Sequence, residues 1–270
     1  MLQEKAESLA APARGGDKAP RRTLSLALQF GGELLLTAGV ILLLFVAWQL
    51  WWTNVDADAR QREVVKVFAR DQAGPAAPGS SGSNSGTNPG PAASSPGRAT
   101  VAPEPAPGTT IGVVYVPRFG ADYTRPVVQG TTPEVLDSLG LGHYGGTAMP
   151  GAAGNFALAG HRQTHGAVLD NIDTLVPGDR IYVQTRDGYY VYRFRNSEIV
   201  LPTATEVLLP VPGQPAATPT ESYLTMTSCN PRFGSQERII AYSVLERWQP
   251  ASAGPPAEIA AQVAHTLGEG

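Results

Sequence analysis

The chain has 270 residues, enough for one ordinary domain with accessory segments, and a formal net charge of −3. So small a net charge argues against nucleic acid or another highly charged partner. Cys229 is the only cysteine, so no disulfide can form within the chain. An inert position in an exported protein could carry Ala or Ser and avoid oxidation, so Cys229 is a candidate reactive thiol.

Residues 1–29 are polar and basic, and we expect a disordered cytoplasmic tail. Residues 34–52 are apolar except for Thr37 and Gln49, and as a helix they would span about 28 Å, the thickness of a bilayer core. Tryptophans 48, 51 and 52 at the far end suit an interfacial belt. The run is too long for a signal peptide, and no small-residue cleavage site follows it. We therefore predict an uncleaved transmembrane anchor over residues 30–53.

The orientation of this anchor depends on a weak charge bias. Five basic residues precede the span, and four follow it within about 20 residues. Arg21 and Arg22 lie close to the span, whereas Asp56, Asp58 and Glu63 dilute the positive charge beyond it. These flanks favour a single-pass protein in the cell membrane, with a cytoplasmic N-terminus and an extracellular C-terminal domain.

Residues 54–108 are predicted to be a juxtamembrane stalk followed by a disordered linker. The stretch 56–71 could form a short helical stalk. Residues 73–108 contain eight Pro and seven Gly but no aromatic residue, Leu or Ile. Such a segment cannot bury enough apolar surface to offset its chain entropy, so we expect a flexible tether.

The globular domain is predicted to occupy residues 109–248 and to be mainly β. At least seven short strands are expected, with a few short helices. The predicted strands are 111–117, 126–130, 155–160, 179–185, 188–195, 224–229 and 238–245, with a further strand and loop over 199–209. Residues 142–147 are predicted as a glycine-rich loop and 249–270 as a flexible tail. This pattern favours a closed or nearly closed β-barrel.

Cys229 ends one predicted strand, and Arg238 begins the next after a turn-rich gap. Strands joined in this way form a hairpin with backbones about 5 Å apart, so the two residues would be neighbours. A thiol beside a guanidinium suits a nucleophile with an anion-stabilising partner. Taken alone, the pair could also be a buried small side chain and an edge charge.

A cysteine nucleophile needs a group that can exchange its proton, and histidine titrates in the useful range. His161 directly follows the predicted strand 155–160, so it has a rigid support. His143 falls in the glycine-rich loop, His165 in a polar loop and His265 in the tail. His161 is therefore the best-placed candidate.

The run 155–161, Asn-Phe-Ala-Leu-Ala-Gly-His, resembles a sortase when it is taken with Leu-Thr-Met-Thr-Ser-Cys at 224–229 and a following Arg238. Sortases are membrane-anchored cysteine transpeptidases of Gram-positive bacteria. The resemblance covers about residues 109–247. Cys229-Asn230-Pro231 is similar to class E sortases of actinobacteria. Ser228 is a departure, because most sortases have Thr before the cysteine.

This resemblance implies an eight-stranded barrel that acts without a cofactor or metal. Cys229 would attack the threonine carbonyl of an LPXTG-like or LAXTG-like sorting signal, releasing the following glycine and forming a thioacyl enzyme. His161 would exchange protons with the leaving and attacking amines, and Arg238 would hold the substrate backbone and oxyanion. The implied partners are sorting-signal-bearing surface proteins, a peptidoglycan precursor amine and the cell membrane, with no nucleic acid.

Two other functions fit parts of the pattern. An L,D-type cell-wall cysteine transpeptidase also places His before a Ser-x-x-Cys-x-Arg-like run, which Ser228, Cys229 and Arg232 weakly resemble. The missing Gly before the cysteine counts against it. The second alternative is a non-catalytic anchored binding module with a buried cysteine. A bulky thiol reagent separates this module from the enzymes, because a buried thiol would not react.

Overall fold

The computed structural model describes residues 19–73 and 99–267. The chain divides into two compact units, Met1–Gln49 and Leu50–Gly270. Parts of three predicted segments lie outside the described residues. These parts are 1–18 of the N-terminal tail, 74–98 of the linker and 268–270 at the C-terminus.

The first unit is described through one helix, α1 (Ala19–Ala73), which continues into the second unit. Within it, Leu28–Gln72 is long and apolar enough to cross a membrane, with a window of mean hydropathy 2.2, and no other described helix is. Leu34, Leu35 and Leu36 are 74%, 76% and 71% exposed. A helical stretch whose apolar side chains are this exposed requires an apolar solvent. This helix is compatible with the predicted anchor over 30–53.

The described part of the second unit is built on eight strands that close into a barrel. The strands are β1 (Thr110–Tyr115), β2 (Thr124–Gln129), β3 (Leu141–His143), β4 (Gly154–Ala159), β5 (Arg180–Gln184), β6 (Gly188–Val200), β7 (Ser222–Asn230) and β8 (Glu237–Pro250). Their order around the barrel is β1-β2-β3-β4-β7-β8-β6-β5, and β5 pairs with β1. The helices α2 (Pro133–Leu136) and α3 (Ala260–Leu267) are short. The predicted closed barrel with few helices is confirmed.

Two pairs of neighbouring strands are parallel, β2 with β3 and β4 with β7, and the others are antiparallel. Parallel neighbouring strands need a long connection, and the chain between β4 and β7 includes β5 and β6. The parallel pairing brings the C-terminal ends of β4 and β7 to the same edge of the barrel. His161 follows the first of these ends, and Cys229 lies at the second.

The interior of the barrel is filled by alternate residues of its strands. Phe156 and Leu158 of β4 lie opposite Leu224 and Met226 of β7, and all four are fully buried in one core cluster. Alternate residues of a strand point to the same side of a sheet, so this register directs all four inward. The packed core thus rigidly supports the two strand ends that position the site.

A second buried cluster lies on the outside of β1, β5 and β6. It joins Val65 and Phe68 of α1 to barrel residues and to Ile259 and Val263 near α3. The barrel residues are Val113, Tyr115, Tyr182, Tyr189 and Val191. Along β6, only Arg193 and residues 195–199 are exposed. Both faces of the first half of β6 are buried because helices cover its outer side.

Two segments that the sequence predicted as accessory are folded onto the barrel. Residues 56–71 continue α1, and Val65 and Phe68 are 5% and 4% exposed. Over its described residues, the segment predicted as a flexible tail forms turns and α3, with Ile259 and Val263 1% and 4% exposed. Apolar side chains spaced three or four residues apart form one helix face, but the sequence does not reveal which surface that face covers.

β3 replaces part of the predicted glycine-rich loop. Gly142 is its middle residue and pairs with Val128 of β2 and Ala159 of β4. A Cβ at this position would lie 2.4 Å from the carbonyl oxygen of Gly130. The glycine is therefore required by close backbone packing within the sheet, and it does not mark a turn.

Candidate active site

The hairpin predicted around the cysteine is present. β7 and β8 are antiparallel, and Cys229 is the Cα partner of Arg238. Cys229 is free and partly exposed. The thiol and the guanidinium are therefore carried by directly opposed residues next to the loop that joins the two strands, as the sequence predicted.

His161 is positioned by the parallel pairing of β4 with β7. Ala159 is the Cα partner of Thr227, and the backbone N–H of Gly160 donates to the Thr227 carbonyl at 3.1 Å. Continuing this register by two residues places His161 alongside Cys229. Sheet geometry therefore brings all three predicted site residues, Cys229, His161 and Arg238, to one edge of the barrel.

Ser228 connects these two strand ends. It is 3% exposed, and its hydroxyl donates to the Gly160 carbonyl oxygen at 2.8 Å. This bond needs a hydroxyl at position 228 and makes no use of the methyl group that a threonine would add. The exchange of Thr for Ser therefore keeps the contact between the cysteine strand and the residue before His161.

Asp137, at the end of α2, is a residue that sequence reasoning missed. Its Oδ1 lies 2.6 Å from Nε2 of His161, and the two side chains are 40% and 27% exposed. An ionised carboxylate only accepts hydrogen bonds, so it selects the histidine form with a proton on Nε2. Nδ1 is then the nitrogen left for proton exchange. No motif marks Asp137, because the contact joins residues 24 positions apart through the fold.

His165 extends this pair into a cluster. Its ring centroid lies 4.9 Å from that of His161, and its Nδ1 is 3.8 Å from Asp137 Oδ1. One ligand atom from each of Asp137, His161 and His165 lies within 4.8 Å of the others, so these are the described residues that could hold a metal ion. A metal at this point would occupy the imidazole of His161, which the sequence predicts as the proton partner of the thiol.

Arg162 is a second residue that the sequence analysis did not identify. It is 4% exposed. Its Nη1 donates to the Asn230 side-chain oxygen at 2.8 Å and to the Cys229 carbonyl at 3.3 Å, and its Nη2 pairs with Asp173 at 2.9 Å. A buried cation of this kind fixes the backbone it bonds to. The only sequence signal was a basic residue directly after His161.

Arg238 bonds to its own hairpin. Its Nη1 donates to the carbonyl oxygens of Ser235 at 2.9 Å and Glu237 at 2.8 Å. These bonds hold the guanidinium at the turn and involve only one of its three nitrogens. The planar group retains donors with which it can bind a substrate carbonyl or an oxyanion.

Arg232 lies in the loop between β7 and β8 and is bound elsewhere. It forms a two-point ion pair with Asp170, with Nε–Oδ1 at 2.8 Å and Nη2–Oδ2 at 2.6 Å. The Arg232 side chain is 51% exposed. This pair ties the loop to the segment around Asp170. The guanidinium of Arg232 is therefore already occupied by a carboxylate.

His143 is excluded as the proton partner of the thiol by its surroundings. It is fully buried in β3, with Nδ1 2.7 Å from Gln129 Oε1 and Nε2 2.9 Å from Thr147 Oγ1. Burial lowers the pKa of His143 below its ordinary value, because the charged imidazolium would lose its hydration. Both ring nitrogens are used inside the core, so this histidine has a structural role.

The strand ends, the histidine and the cysteine agree with one known family. The family profile described as Sortase domain matches residues 114–246. Sortase SrtE2 of Streptomyces coelicolor is 33% identical over 262 residues, which cover 90% of this chain and 92% of the relative. The chain belongs to the sortase family.

Other relatives of this sortase agree with the class E resemblance. Sortase SrtE1 of S. coelicolor is 36% identical over 233 residues, covering 83% of this chain but only 59% of that relative's length. The crystal structure of Sortase E1 from S. coelicolor with a tripeptide in the active site aligns with a TM-score of 0.52 at 36% identity. The alignment covers 56% of this chain and 97% of the chain in that structure. The predicted family, fold and enzyme class, a cysteine transpeptidase, are confirmed.

Proposed function

We propose that this sortase cleaves an LPXTG-like or LAXTG-like sorting signal between Thr and Gly and transfers the threonine acyl group to an amine. The observation that carries the proposal is the strand register, which assembles Cys229, His161 and Arg238 at one edge of the barrel. A nucleophile, a proton carrier and a fixed cation are sufficient for acyl transfer. The tripeptide in the active site of the S. coelicolor relative supports a peptide substrate.

The first half of the reaction forms a thioacyl enzyme. The Cys229 thiolate attacks the threonine carbonyl, and Arg238 stabilises the negative charge that develops on the oxygen. When the C–N bond breaks, protonated His161 gives a proton from Nδ1 to the leaving glycine amine. Asp137 keeps the imidazole oriented through Nε2 during this transfer.

The second half regenerates the enzyme. A new amine attacks the thioester, His161 accepts the proton that the amine loses, and the Cys229 thiolate leaves. Arg162 and Ser228 keep the two strand ends in place through both steps, since each bonds to backbone next to a reacting residue. The proton returns to His161 and the acyl group passes to the new amine, so no external cofactor is consumed.

In the cell, we propose a single-pass membrane protein with its N-terminus in the cytoplasm and the barrel outside. The apolar helix supports the anchor, and Arg21 and Arg22 beside it support the orientation. The substrates would be surface proteins that carry the sorting signal, and the acceptor an amine of a peptidoglycan precursor. The product is then a protein fixed to the cell wall.

The deciding experiment uses the full chain in detergent micelles with LPXTG and LAXTG peptides, an added amine and mass spectrometry of the products. We expect a free Gly-containing fragment and an amine adduct of the threonine, with LAXTG preferred, as class E membership implies. Cys229→Ala should yield neither product. A thioacyl adduct detected by intact-mass measurement of the wild-type enzyme would identify Cys229 as the attacking group. Absence of cleavage and of transfer with all of these peptides and amines would overturn the proposal.

The same preparation tests the alternatives. The partial exposure of Cys229 disfavours a binding module with a buried cysteine, and a bulky maleimide should therefore label the folded protein. Arg232, which the L,D-type reading needs near the thiol, is instead paired with Asp170. Transfer of a D-amino-acid stem peptide in place of a sorting peptide would favour that alternative.

A further inference from the structure

The second-unit part of α1 contacts the loop that carries His161. We call residues 54–72 the docked segment. Asn54 makes two bonds to the loop: its Nδ2 donates to the Gln163 carbonyl at 3.3 Å, and its Oδ1 accepts from the Gly166 N–H at 2.9 Å. Gln61 Nε2 donates to the His165 carbonyl at 3.1 Å. Asn54 and Gln61 are seven residues apart and therefore lie on one face of the helix.

Arg125 of β2 completes this contact. Its Nη1 pairs with Asp58 of the docked segment at 3.1 Å, and its Nη2 donates to the Gly166 carbonyl at 3.3 Å. Both backbone groups of Gly166 are thus bonded, one to the docked segment directly and one through Arg125. A further bond, Arg60 Nη1 to Ser138 Oγ at 3.4 Å, reaches the residue next to Asp137.

The loop backbone at this contact has an uncommon conformation. His165, Gly166 and Ala167 have φ values of 54°, 87° and 46°. Residues with a Cβ disfavour this region, so two of the three carry strain that surrounding contacts must hold. A Cβ at position 166 would lie 2.8 Å from Gln61 Nε2 and 3.2 Å from Asp58 Oδ1. The docked segment therefore packs directly against the loop backbone.

The docked segment is also fixed at its other end, away from the loop. Val65 and Phe68 are buried against the outside of the barrel, and Gln72 Nε2 donates to the Thr185 carbonyl at 2.8 Å. Docking by apolar contacts is therefore separable from the polar contacts to the His161 loop. Substitutions can remove either set alone.

We propose that the docked segment is a positioning element of the active site. Its face with Asn54, Asp58 and Gln61 holds the backbone of residues 163–166 at the start of the strained turn, and this fixes the backbone that follows His161. The proposal rests on the proposed function, because it assigns the loop a role in proton transfer. A helix outside the barrel is then required for full catalytic rate although it contributes no reacting group.

The test compares full-chain variants in detergent micelles. Asn54→Ala/Gln61→Ala removes the bonds to the loop and leaves Val65 and Phe68 in place. We expect kcat to fall about tenfold or more, since small misplacements of a catalytic group cost this much, with KM nearly unchanged. The matched control is Arg62→Ala/Glu63→Ala, on the exposed side of the same helix, which should keep wild-type kcat.

Amide hydrogen exchange supplies the readout that general destabilisation would not give. In the Asn54→Ala/Gln61→Ala variant, exchange should rise in residues 162–168 and stay unchanged in β7 and β8. Val65→Ala/Phe68→Ala loosens docking without touching the loop and should also lower kcat. Wild-type kcat and exchange in Asn54→Ala/Gln61→Ala, or an equal loss in the control, would overturn the inference. If wild-type enzyme cleaves no peptide, the proposed function fails, while loop exchange still decides the positioning claim.

Discussion

The Asp137 carboxylate lies 2.6 Å from Nε2 of His161, the histidine that follows the end of β4 at the same edge of the barrel as Cys229. We predict that Asp137 is a positioning residue, because it bonds to the proposed proton carrier and not to the reacting carbonyl. Both side chains are partly exposed, so the contribution to stability should be small. The effect of losing this contact should therefore appear in the turnover rate.

Replacing Asp137 tests this assignment. Asp137→Ala should lower kcat about 10- to 100-fold and change KM less, since the loss of an orienting partner costs less than the roughly 10²–10⁴-fold that the acid–base group itself contributes. Asp137→Glu keeps the charge on a longer side chain and should recover part of the rate. Steady-state kinetics with the sorting peptide measures both variants, and Asp122→Ala, which removes an exposed carboxylate before β2, is the control. Wild-type kcat in Asp137→Ala would remove this residue from the site.

The two arginines near the thiol should differ sharply in their effects. Arg238→Ala should lower turnover by about 10²–10³-fold, the scale for losing one preorganised oxyanion donor. Arg238→Lys should recover little, because an ammonium group cannot reproduce the planar fork. Arg232→Ala should cost far less, since it breaks a half-exposed pair with Asp170. Circular dichroism checks folding, and a larger loss for Arg232→Ala in the cleavage assay would refute the assignment of Arg238.

Ser228 offers a test of the link between the two strand ends. Ser228→Ala leaves the buried Gly160 carbonyl without its donor at 2.8 Å and should lower the free energy of unfolding by about 1–3 kcal/mol. Ser228→Thr restores the hydroxyl and should be near wild type in stability and turnover. Thermal unfolding and peptide cleavage measure the pair, and equal behaviour of the Ala and Thr variants would show that the bond contributes nothing.

The positions of the candidate site residues were easier to predict from the sequence than the residues that hold them in place. Strand ends can be identified from local patterns, so His161, Cys229 and Arg238 could be placed together from hairpin geometry and family motifs. Asp137, Arg162 and the docked segment act through contacts between distant parts of the chain, which local patterns do not encode. The same limit explains the covered outer face of β6. Alternation identifies which side of a strand is apolar enough for the core, but not which helix covers the other side.

The orientation of the anchor is tested by accessibility. If α1 crosses the membrane with its N-terminus inside, protease added to intact protoplasts of a Gram-positive host should remove the barrel and leave a short membrane fragment. Antibodies to the barrel and to an N-terminal tag follow the two parts, and lysed protoplasts serve as the digestion control. Full protection of the barrel in intact protoplasts would contradict both the orientation and the extracellular function.

The buried histidine of the core predicts how stability depends on pH. Burial lowers the pKa of His143 from the ordinary value of 6.5, so the folded state favours the neutral ring. Above 6.5 both folded and unfolded states are neutral at this residue, and its contribution is fully present. Below 6.5 the unfolded chain takes up a proton that the folded chain does not bind, so stability falls as the pH decreases until the folded pKa is passed.

Chemical denaturation at pH 7.5 and pH 5 should therefore show a loss of stability that His143→Gln reduces. His265→Gln, at an exposed position of α3, should keep the wild-type dependence. The same pH dependence in His143→Gln and wild type would show that His143 is not the group responsible.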